Sequence, residues 1–461
     1  MRLKSKIREK KQKPKPTSTD LKIMEWRYNQ FLGEKMTYKE IKKDPTNQTF
    51  LVTDIKFALD SSYIIVGDKG GRIIIFKNTQ FKGENNLEYY FEYLAQDKDF
   101  DVHKSIEYTE EIKALDIFPN YNYSNIDILS ASYRTIKLDR VYEDKTNIFE
   151  DINKNNLSIP KLNSVKSEIK VKNKKTFTCE KFYEINSLNL NKFVTNNFLS
   201  SDDFRVYLWD VNSKNSAVYN PIDIEVESNS LFNLEKITKS KYSNFNPHIF
   251  FYGTNKGVIK LCDLRSNSEQ IKLETNFKDE KSNIKNSIGN QLSSVHDICT
   301  SFSNQNFVAS RHYFNINLWD IRKQNEPVSK YLIFEPAINK LTYLYHNNYL
   351  NDKFSIDCDS SGKYILTGGY NNMFHVFDIE QRLNTQIVID EKNDQLMNTN
   401  IIRKINSKGS CYYKKDDDDL NLINFDQKIT KHAFCPNSNF LVIVVYNCIY
   451  TYHGNLGKKV G

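Results

Sequence analysis

The sequence contains no long apolar segment and no cysteine motif. None of its apolar runs approaches the roughly 20 residues of a membrane-spanning helix, and its first residues, MRLKSKIREKKQKPKPTST, lack the apolar core of a signal peptide. The seven cysteines are widely spaced and never form a CxxC pair, which argues against a disulfide framework or a zinc knuckle. We therefore predict a soluble cytoplasmic protein that does not bind membranes, and leave a nuclear location open.

Sequence motifs of catalysis are also missing. The chain has no GxxxxGK[ST], no HExxH and no GxSxG motif, and its eight histidines are scattered. The glycine-rich stretch GDKGG (67–71) joins two apolar segments without the following helix of a phosphate-binding loop, so we interpret it as a hairpin turn. We predict that the chain is not an enzyme and that it has no catalytic residues, cofactor or bound metal.

Positive charge is concentrated at the N-terminus. Residues 1–16 contain eight basic side chains and one acidic side chain, so the rest of the chain accounts for only about +1 of the net charge of +8. We therefore expect no nucleic-acid partner for the body of the protein. The basic run could contact phosphates, anionic lipid or an import receptor. Because like-charge blocks are usually solvated and disordered, we interpret residues 1–21 as a disordered tail.

One pattern recurs along the chain. A short apolar segment is followed by a polar turn and a second apolar segment that ends in an aromatic residue or Asp, which predicts a β-hairpin. Seven such hairpins lie at 63–76, 128–139, 198–210, 250–263, 307–320, 364–378 and 440–452. Three of them end in an aromatic-Asp pair, namely Trp209-Asp210, Trp319-Asp320 and Phe377-Asp378.

Repeats of this kind predict an all-β, seven-bladed β-propeller of the WD-repeat type. The aromatic residue of each pair is expected to pack between neighbouring sheets. The repeats are longer than the roughly 40–45 residues of a WD blade, so we place loop insertions at 77–100, 141–178, 212–233, 266–292 and 380–426. The propeller should span residues 22–455, between the basic tail and a short C-terminal tail at 456–461.

Several stretches resemble the 55-kDa regulatory B subunit family of protein phosphatase 2A. The most specific are KGVIKLCDLR (256–265) and TGGYNNMF (367–374), together with GDKGGRIIIF (67–76), DFDVHKSIEYTEEI (99–112) and FLSSDDFRVYLWD (198–210). The resemblance covers about residues 22–455. It implies a non-catalytic propeller that docks on a helical-repeat scaffold subunit, lies against the phosphatase catalytic subunit and recruits phosphoserine and phosphothreonine proteins.

The resemblance also implies an acidic substrate groove on the top face of the propeller. The candidate groove residues are Asp101, Glu107, Glu110, Glu111, Asp202 and Asp203, with Lys69 and Lys104 nearby and Tyr345, Asp352 and Lys353 at the rim. An acidic groove would attract basic substrate segments. Two simpler interpretations stay open: Asp202 and Asp203 cap their own turn, and the cluster at 107–111 is a solvated acidic face.

The insertion at 141–178 matches the long hairpin arm with which the family reaches its scaffold. Its segment LSIPKL (157–162) alternates apolar and polar residues, and its proline is typical of an edge strand. Leu157, Ile159, Pro160 and Leu162 are the candidate scaffold contacts; the alternative is a flexible loop.

The sequence departs from the family pattern at three positions. Asp139 stands where the family has Trp, Gln48 replaces an acidic groove residue and Asn351 replaces a rim Phe. These changes put the substrate preference in doubt rather than the fold. Fold alone does not set function, so an adaptor of a ubiquitin ligase or of chromatin on the same frame is the alternative.

Overall fold

The structure, a computed structural model, describes residues 24–36, 38–81, 84–96, 98–101, 106–119, 125–149, 162–178, 183–213, 219–224, 234–265, 269–274, 291–300, 304–323, 326–333, 340–389, 401–404 and 423–456. The tail at 1–21 lies outside these ranges, as do residues 457–461 of the C-terminal tail.

The chain forms seven antiparallel sheets, the blades of a propeller. It starts with β1 (Met24–Leu32), α1 (Tyr38–Lys43) and α2 (Pro45–Thr49). Blade 1 consists of β2 (Val52–Phe57), β3 (Tyr63–Asp68), β4 (Arg72–Phe81) and β5 (Glu84–Leu94). A separate hairpin, β6 (Lys98–Asp101) and β7 (Ile106–Thr109), follows. Blade 2 consists of β8 (Ala114–Ile117), β9 (Asn125–Ala131), β10 (Thr135–Phe149) and β11 (Leu162–Thr178).

Blades 3 to 5 follow the same order. Blade 3 consists of β12 (Ser187–Leu190), β13 (Asn197–Ser201), β14 (Arg205–Asp210) and β15 (Tyr219–Asp223). Blade 4 consists of β16 (Ile237–Tyr242), β17 (Ile249–Thr254), β18 (Val258–Asp263) and β19 (Glu269–Glu274). Blade 5 consists of β20 (Asp297–Cys299), β21 (Phe307–Arg311), β22 (Asn315–Asp320) and β23 (Ser329–Leu332).

The last two blades contain a fifth strand and the closing seam. After α3 (Leu341–His346) and a 3-10 helix (Tyr349–Asn351), blade 6 consists of β24 (Ile356–Cys358), β25 (Tyr364–Gly368), β26 (Met373–Asp378), β27 (Leu383–Val388) and β28 (Ile401–Lys404). Blade 7 combines β29 (Lys431–Phe434), β30 (Phe440–Val445) and β31 (Cys448–Leu456) with β1. None of the helices in the described part of the chain has the length and apolarity that a bilayer crossing requires.

The predicted seven-bladed propeller is confirmed. Each of the seven hairpins found in the sequence forms the second and third strands of one blade. The aromatic residues pack between blades as expected. The Trp209 ring of blade 3 lies 5.4 Å from that of Phe177 in blade 2, and Trp319 of blade 5 belongs to the same hydrophobic core as Phe251 of blade 4.

The interpretation of the inter-hairpin segments as loops was wrong in part. The fourth strands of four blades, β5, β15, β19 and β27, lie inside segments interpreted as loop insertions, whereas β11 lies in the segment predicted to form a hairpin arm. Three of these four strands are rich in polar residues because an outer strand packs on fewer neighbours, so they lack the apolar signal that marked the inner hairpins. Such a signal cannot separate an outer strand from a polar loop.

The innermost strands close the ring. β2, β8, β12, β16, β20, β24 and β29 each contact the next in that order, and β29 contacts β2. Side chains on these strands accept backbone N–H groups from the following blade: Asp54 from Leu115 at 2.9 Å, Asp116 from Leu190 at 2.9 Å, Asn189 from Tyr242 at 2.7 Å, Asp297 from Ile356 at 3.1 Å and Asp357 from Phe434 at 2.8 Å.

The alternation of strands defines two faces. The turns between the second and third strands, such as 202–204, and the connections between blades lie at one end, which we call the top face. The turns between the first and second strands, such as 58–62 and 191–196, lie at the other end, the bottom face. Loops of seven blades therefore converge on each face around a central channel.

The N-terminal strand fastens the ring. β1 pairs antiparallel with β31, so strands from opposite ends of the chain share one sheet. Trp26 of β1 is 1% exposed, lies 5.9 Å from Phe434 in blade 7 and shares a core with Tyr364 of blade 6. Its ring covers Gly454, where an added Cβ would lie 2.9 Å from the indole.

Replacement of this tryptophan should weaken the closure. We expect Trp26→Ala to lower the free energy of unfolding by about 3–5 kcal/mol, because a large buried side chain leaves a cavity between two blades. Arg27→Ala, on the exposed side of the same strand, is the matched control and should change stability by less than about 0.5 kcal/mol. Urea unfolding, followed by far-ultraviolet circular dichroism so that the signal does not depend on the tryptophan, measures the stability of both variants. Equal losses of stability would contradict the role of β1 in closing the ring.

Candidate functional site

The described candidate residues lie on the top face. Lys69 lies in the β3–β4 turn, Asp202 and Asp203 lie in the β13–β14 turn, and Glu110 and Glu111 precede β8. Tyr345, Asp352 and Lys353 lie in the connection from blade 5 to blade 6. Asp101 and Glu107 are placed through their backbones in the β6–β7 hairpin, and Lys104 lies outside the described residues.

Asp202 holds its own turn. Its carboxylate is fully buried and accepts hydrogen bonds from the backbone N–H of Phe204 at 2.8 Å, from that of Arg205 at 2.7 Å and from the Tyr207 hydroxyl at 3.0 Å. Burial raises the pKa of Asp202 above its usual value, and these hydrogen bonds oppose the rise. For Asp202, the geometry is that of the turn cap.

Asp203 faces outward. Its side chain is 23% exposed, and its carboxylate pairs with the Lys236 amine at 2.7 Å and accepts a hydrogen bond from the Asn186 amide at 3.0 Å. Lys236 belongs to the segment that enters blade 4, so this pair bridges two blades. Of the two neighbouring aspartates, Asp203 is the one that a ligand can reach.

A second charged cluster joins blades 2 and 3. The Lys113 amine pairs with Glu111 and with Glu184, the latter at 2.6 Å, and lies 4.3 Å from the centre of the Tyr133 ring. Burial lowers the pKa of Lys113, but the hydrogen bonds to both glutamates outweigh this effect and raise the pKa above its usual value. Lys113 is therefore a fixed positive charge between two carboxylates.

The rim residues on blade 6 belong to a buried network. Asp352 pairs with Lys428 and accepts a hydrogen bond from the Tyr370 hydroxyl at 3.0 Å, and that hydroxyl lies 2.8 Å from the hydroxyl of Tyr313. Burial raises the pKa of Asp352, and Lys428 opposes the rise. Asp352 thus fixes the loop, and the neighbouring Lys353 is exposed and within electrostatic range of Glu184 and Asp203.

Exposed aromatic side chains surround these charges. Tyr133, Tyr183, Tyr343 and Tyr345 lie on the top face with 41%, 42%, 50% and 44% of their surfaces accessible. Tyrosine combines a large apolar ring with a polar hydroxyl, which suits it to protein recognition. The face therefore offers paired charges and aromatic rings, an arrangement that can bind an extended polar segment.

Two of the departures from the family pattern also lie on this face. Gln48 lies on α2 and is partly exposed, and Asn351 ends the 3-10 helix with an exposed side chain. The third, Asp139, is 4% exposed within blade 2. Two of the three thus occupy positions where they can alter what the face binds.

His312 has a structural role in blade 5. His312 is 1% exposed; its Nδ1 lies 2.7 Å from the Ser293 carbonyl oxygen and its Nε2 lies 2.9 Å from the Ser310 hydroxyl. Burial lowers the pKa of His312 to about 4, so it is neutral at physiological pH. Within the described ranges, no group of three His, Cys, Asp or Glu side chains could hold a metal ion.

The sequence interpretation missed several residues of the face. Lys113, Asn186 and Lys236 each stand immediately before the first strand of a blade, β8, β12 and β16 respectively. Their shared position in the repeat could have identified them as top-face residues, because the residue immediately before an inner strand lies at the top of the channel. Glu184 and Tyr133 had no such signal.

The chain is similar to phosphatase regulatory subunits. It is 26% identical over 492 residues to the serine/threonine-protein phosphatase 2A regulatory subunit phr2AB of Dictyostelium discoideum, a match that covers 94% of this chain and 99% of that protein. It is 28% identical over 455 residues to the regulatory subunit sur-6 of Caenorhabditis elegans, with 93% and 90% covered. No protein-family model matches the chain.

The two aspartates of the β13–β14 turn should respond differently to truncation. Asp202→Ala should lower the free energy of unfolding by about 1–3 kcal/mol, because buried backbone N–H groups and a buried hydroxyl lose their acceptor. Asp203→Ala should change it by less than about 0.5 kcal/mol, because its ion pair is partly exposed. Chemical denaturation of both variants tests this difference, and similar losses would contradict it.

Proposed function

We propose that this chain is a non-catalytic regulatory subunit of protein phosphatase 2A, of the 55-kDa B type. In this proposal the propeller docks on the scaffold subunit and holds phosphoserine and phosphothreonine proteins beside the catalytic subunit. The observation that carries the proposal is similarity over nearly the whole length of two proteins named as such regulatory subunits. The ring of seven blades supports it by offering a rigid frame with recognition loops gathered on one face.

A protruding ribbon supports scaffold docking. β10 pairs with β11 as far as Phe149 and Leu162, whereas β9 accompanies β10 only as far as Tyr142. The strands beyond Tyr142 therefore form a two-stranded ribbon at the edge of blade 2. Of the four candidate contacts, Leu157, Ile159 and Pro160 lie outside the described residues, and Leu162 is placed through its backbone as the first residue of β11.

The base of the ribbon is fixed to the disc. Ile169 and Val171 of β11 pack against the hydrophobic core shared by blades 1 and 2, against which aromatic side chains of β5 also pack. Asp127 binds both Arg140 at 2.7 Å and Lys174 at 2.8 Å, which ties β9 to both strands of the ribbon. A ribbon anchored in this way holds a fixed orientation relative to the propeller when it binds a partner.

Removal of the ribbon should separate docking from folding. Asp144 and Glu168 are directly paired, so residues 145–167 can be replaced by Asn-Gly, which favours a two-residue hairpin turn. We expect scaffold binding to weaken at least about tenfold, or 1.4 kcal/mol, while the melting temperature stays that of the intact chain. Isothermal titration against the purified scaffold measures the first quantity and calorimetry the second.

The outcomes of this titration are distinguishable. Unchanged scaffold binding by the shortened chain would refute the docking role of the ribbon. Failure of the intact chain to bind the scaffold, or to form a ternary complex with the catalytic subunit, would refute the proposed function. That result would favour an adaptor of a ubiquitin ligase or of chromatin.

The top face is the proposed substrate surface. Glu111, Glu184 and Asp203 each pair with a lysine of this chain. A basic substrate segment would displace these lysines and pair with the carboxylates. Partly exposed ion pairs contribute little to stability, so this exchange costs the fold little. The surrounding tyrosines would then add contact area. In this proposal recognition depends on Asp203, whereas Asp202 and Asp352 hold the loops that present the surface.

Charge reversal at Asp203 should weaken recruitment. In the reconstituted trimer, Asp203→Lys should lower kcat/KM for a phosphoprotein with a basic segment by about fivefold, which corresponds to roughly 1 kcal/mol. Hydrolysis of a small phosphate ester should not change, because it needs only the catalytic subunit. Asp210→Lys, at the bottom end of the same hairpin, is the matched control. An equal effect of both reversals would contradict the assignment of the top face.

A further inference from the structure

The central channel contains a set of lysines that the proposed function does not use. A cavity of about 400 Å³ lies between the inner strands and extends to the bottom face, where Leu59, Pro119 and Phe245 surround its opening. Its volume falls within the range of small-molecule sites. Five lysines line it, namely Lys56, Lys192, Lys239, Lys241 and Lys431, together with four aspartates, Asp54, Asp116, Asp297 and Asp357.

The aspartates are held at the wall of the channel. Each accepts a backbone N–H from the next blade. Asp116 and Asp297 use their second oxygen on a further backbone N–H, that of Ile117 at 3.0 Å and of Ile298 at 2.9 Å. These carboxylates therefore accept the backbone N–H groups at the joints between blades. The longer lysine side chains line the cavity.

The lysines have little direct pairing. Among the described residues, the amine of Lys431 lies 3.9 Å from Asp54, and no carboxylate lies within 4 Å of the other four amines. The four aspartates act together on Lys56: burial lowers the pKa of Lys56, but their charge outweighs this and raises it. At Lys56 the charge of the aspartates therefore outweighs desolvation, which it does not at Lys239 or Lys192.

Positive charge is least compensated on blades 3 and 4. The position that carries Asp in four of the blades is occupied here by Asn189 and Lys241, and Lys192 and Lys239 lie next to them. Desolvation within the channel lowers the pKa of Lys239 to about 8. Partial desolvation by the channel wall also lowers the pKa of the exposed Lys192, and the charge of Lys241 contributes to this effect. In both cases desolvation outweighs the attraction of the aspartates across the channel, so an anion that pairs with these amines would stabilise their charged form.

We propose that the bottom half of the channel is a binding site for a small multivalent phosphate anion, held by Lys192, Lys239 and Lys241. These three amines line the same cavity, and the charge-assisted hydrogen bonds that they can donate match the oxygens of a phosphate group. Low-dielectric walls strengthen the attraction, since they focus the field of the lysines into the cavity. The site opens on the face opposite the proposed substrate surface, so it is separate from that surface and does not depend on the proposed function.

Titration of the purified full-length chain with anions tests the site. Pyrophosphate and inositol hexakisphosphate, which carry the same chemistry at different sizes, are titrated at low ionic strength in a calorimeter. We expect at least one of them to bind, and to bind more weakly as salt rises. Lys192→Met and Lys239→Met should each weaken the binding at least about tenfold, the effect of losing one charge-assisted hydrogen bond.

Two controls separate this site from other basic surfaces. Lys256→Met, on an exposed turn of the top face, should leave the affinity unchanged. A full-length variant with Lys10, Lys11, Lys13 and Lys15 replaced by Gln should also retain binding, which excludes the basic N-terminal run as the binding element.

Lys192 is exposed at the channel opening, so its replacement tests the site even if the Lys239 variant folds poorly.

Absence of binding by both anions at low salt would overturn the proposal. So would an unchanged affinity in Lys192→Met and Lys239→Met, or a loss of binding in the variant whose N-terminal lysines are replaced. If pyrophosphate alone binds, the ligand is a small phosphate; if inositol hexakisphosphate alone binds, it is a larger polyphosphorylated molecule.

Discussion

The hydrogen bond from the backbone of one inner strand to a side chain of the preceding blade is the contact on which the ring depends. Neighbouring blades share no strand ladder at the channel, so the edge N–H groups of their inner strands would otherwise be left without partners. Asp54, Asp116, Asp297 and Asp357 each supply an acceptor. Each bond sets the relative position of two blades and thereby the position of the loops above them.

The joint between blades 4 and 5 is built differently. Lys241 occupies the position of the aspartates and cannot accept a hydrogen bond, and Thr300 of blade 5 instead donates to the Tyr242 carbonyl oxygen at 3.0 Å. This substitution preserves the joint and places a positive charge at the channel. Asn189 in blade 3 and Lys241 in blade 4 thus replace the aspartates of the other joints, and the channel carries less negative charge at these two blades.

The sequence was sufficient to predict the inner part of each blade, and the described candidate residues lie on the face where the resemblance places them. Short apolar runs identified the second and third strands because these strands are largely buried on both faces. The TGGYNN turn was recognisable because its backbone demands particular residues: Asn371 and Asn372 have φ of 59° and 49°, and a Cβ at Gly368 would lie 2.0 Å from the Ile429 carbonyl oxygen. The outer strands, whose polar composition matches that of loops, could not be recognised in this way.

Individual roles within the site were harder to predict than its position. Asp202 and Asp203 are neighbours of the same type, yet one is fully buried and the other pairs with a lysine of the next blade. Which of two adjacent side chains points inward depends on the turn geometry and on Tyr207, which lies on the following strand. The charged clusters likewise join residues from different blades, and no spacing in the sequence reveals such contacts.

Asp139 shows how a departure from a repeat pattern can serve another part of the molecule. It occupies the position of an inter-blade aromatic residue but accepts a hydrogen bond from the Asn173 amide at 2.8 Å and one from the Tyr93 hydroxyl at 3.4 Å. The register of β10 and β11 shifts at this residue. A bulge bends and twists a strand, so the hydrogen bonds made at this bulge help to set the direction of the ribbon relative to blade 1. A tryptophan at this position has no carboxylate and could not accept these hydrogen bonds.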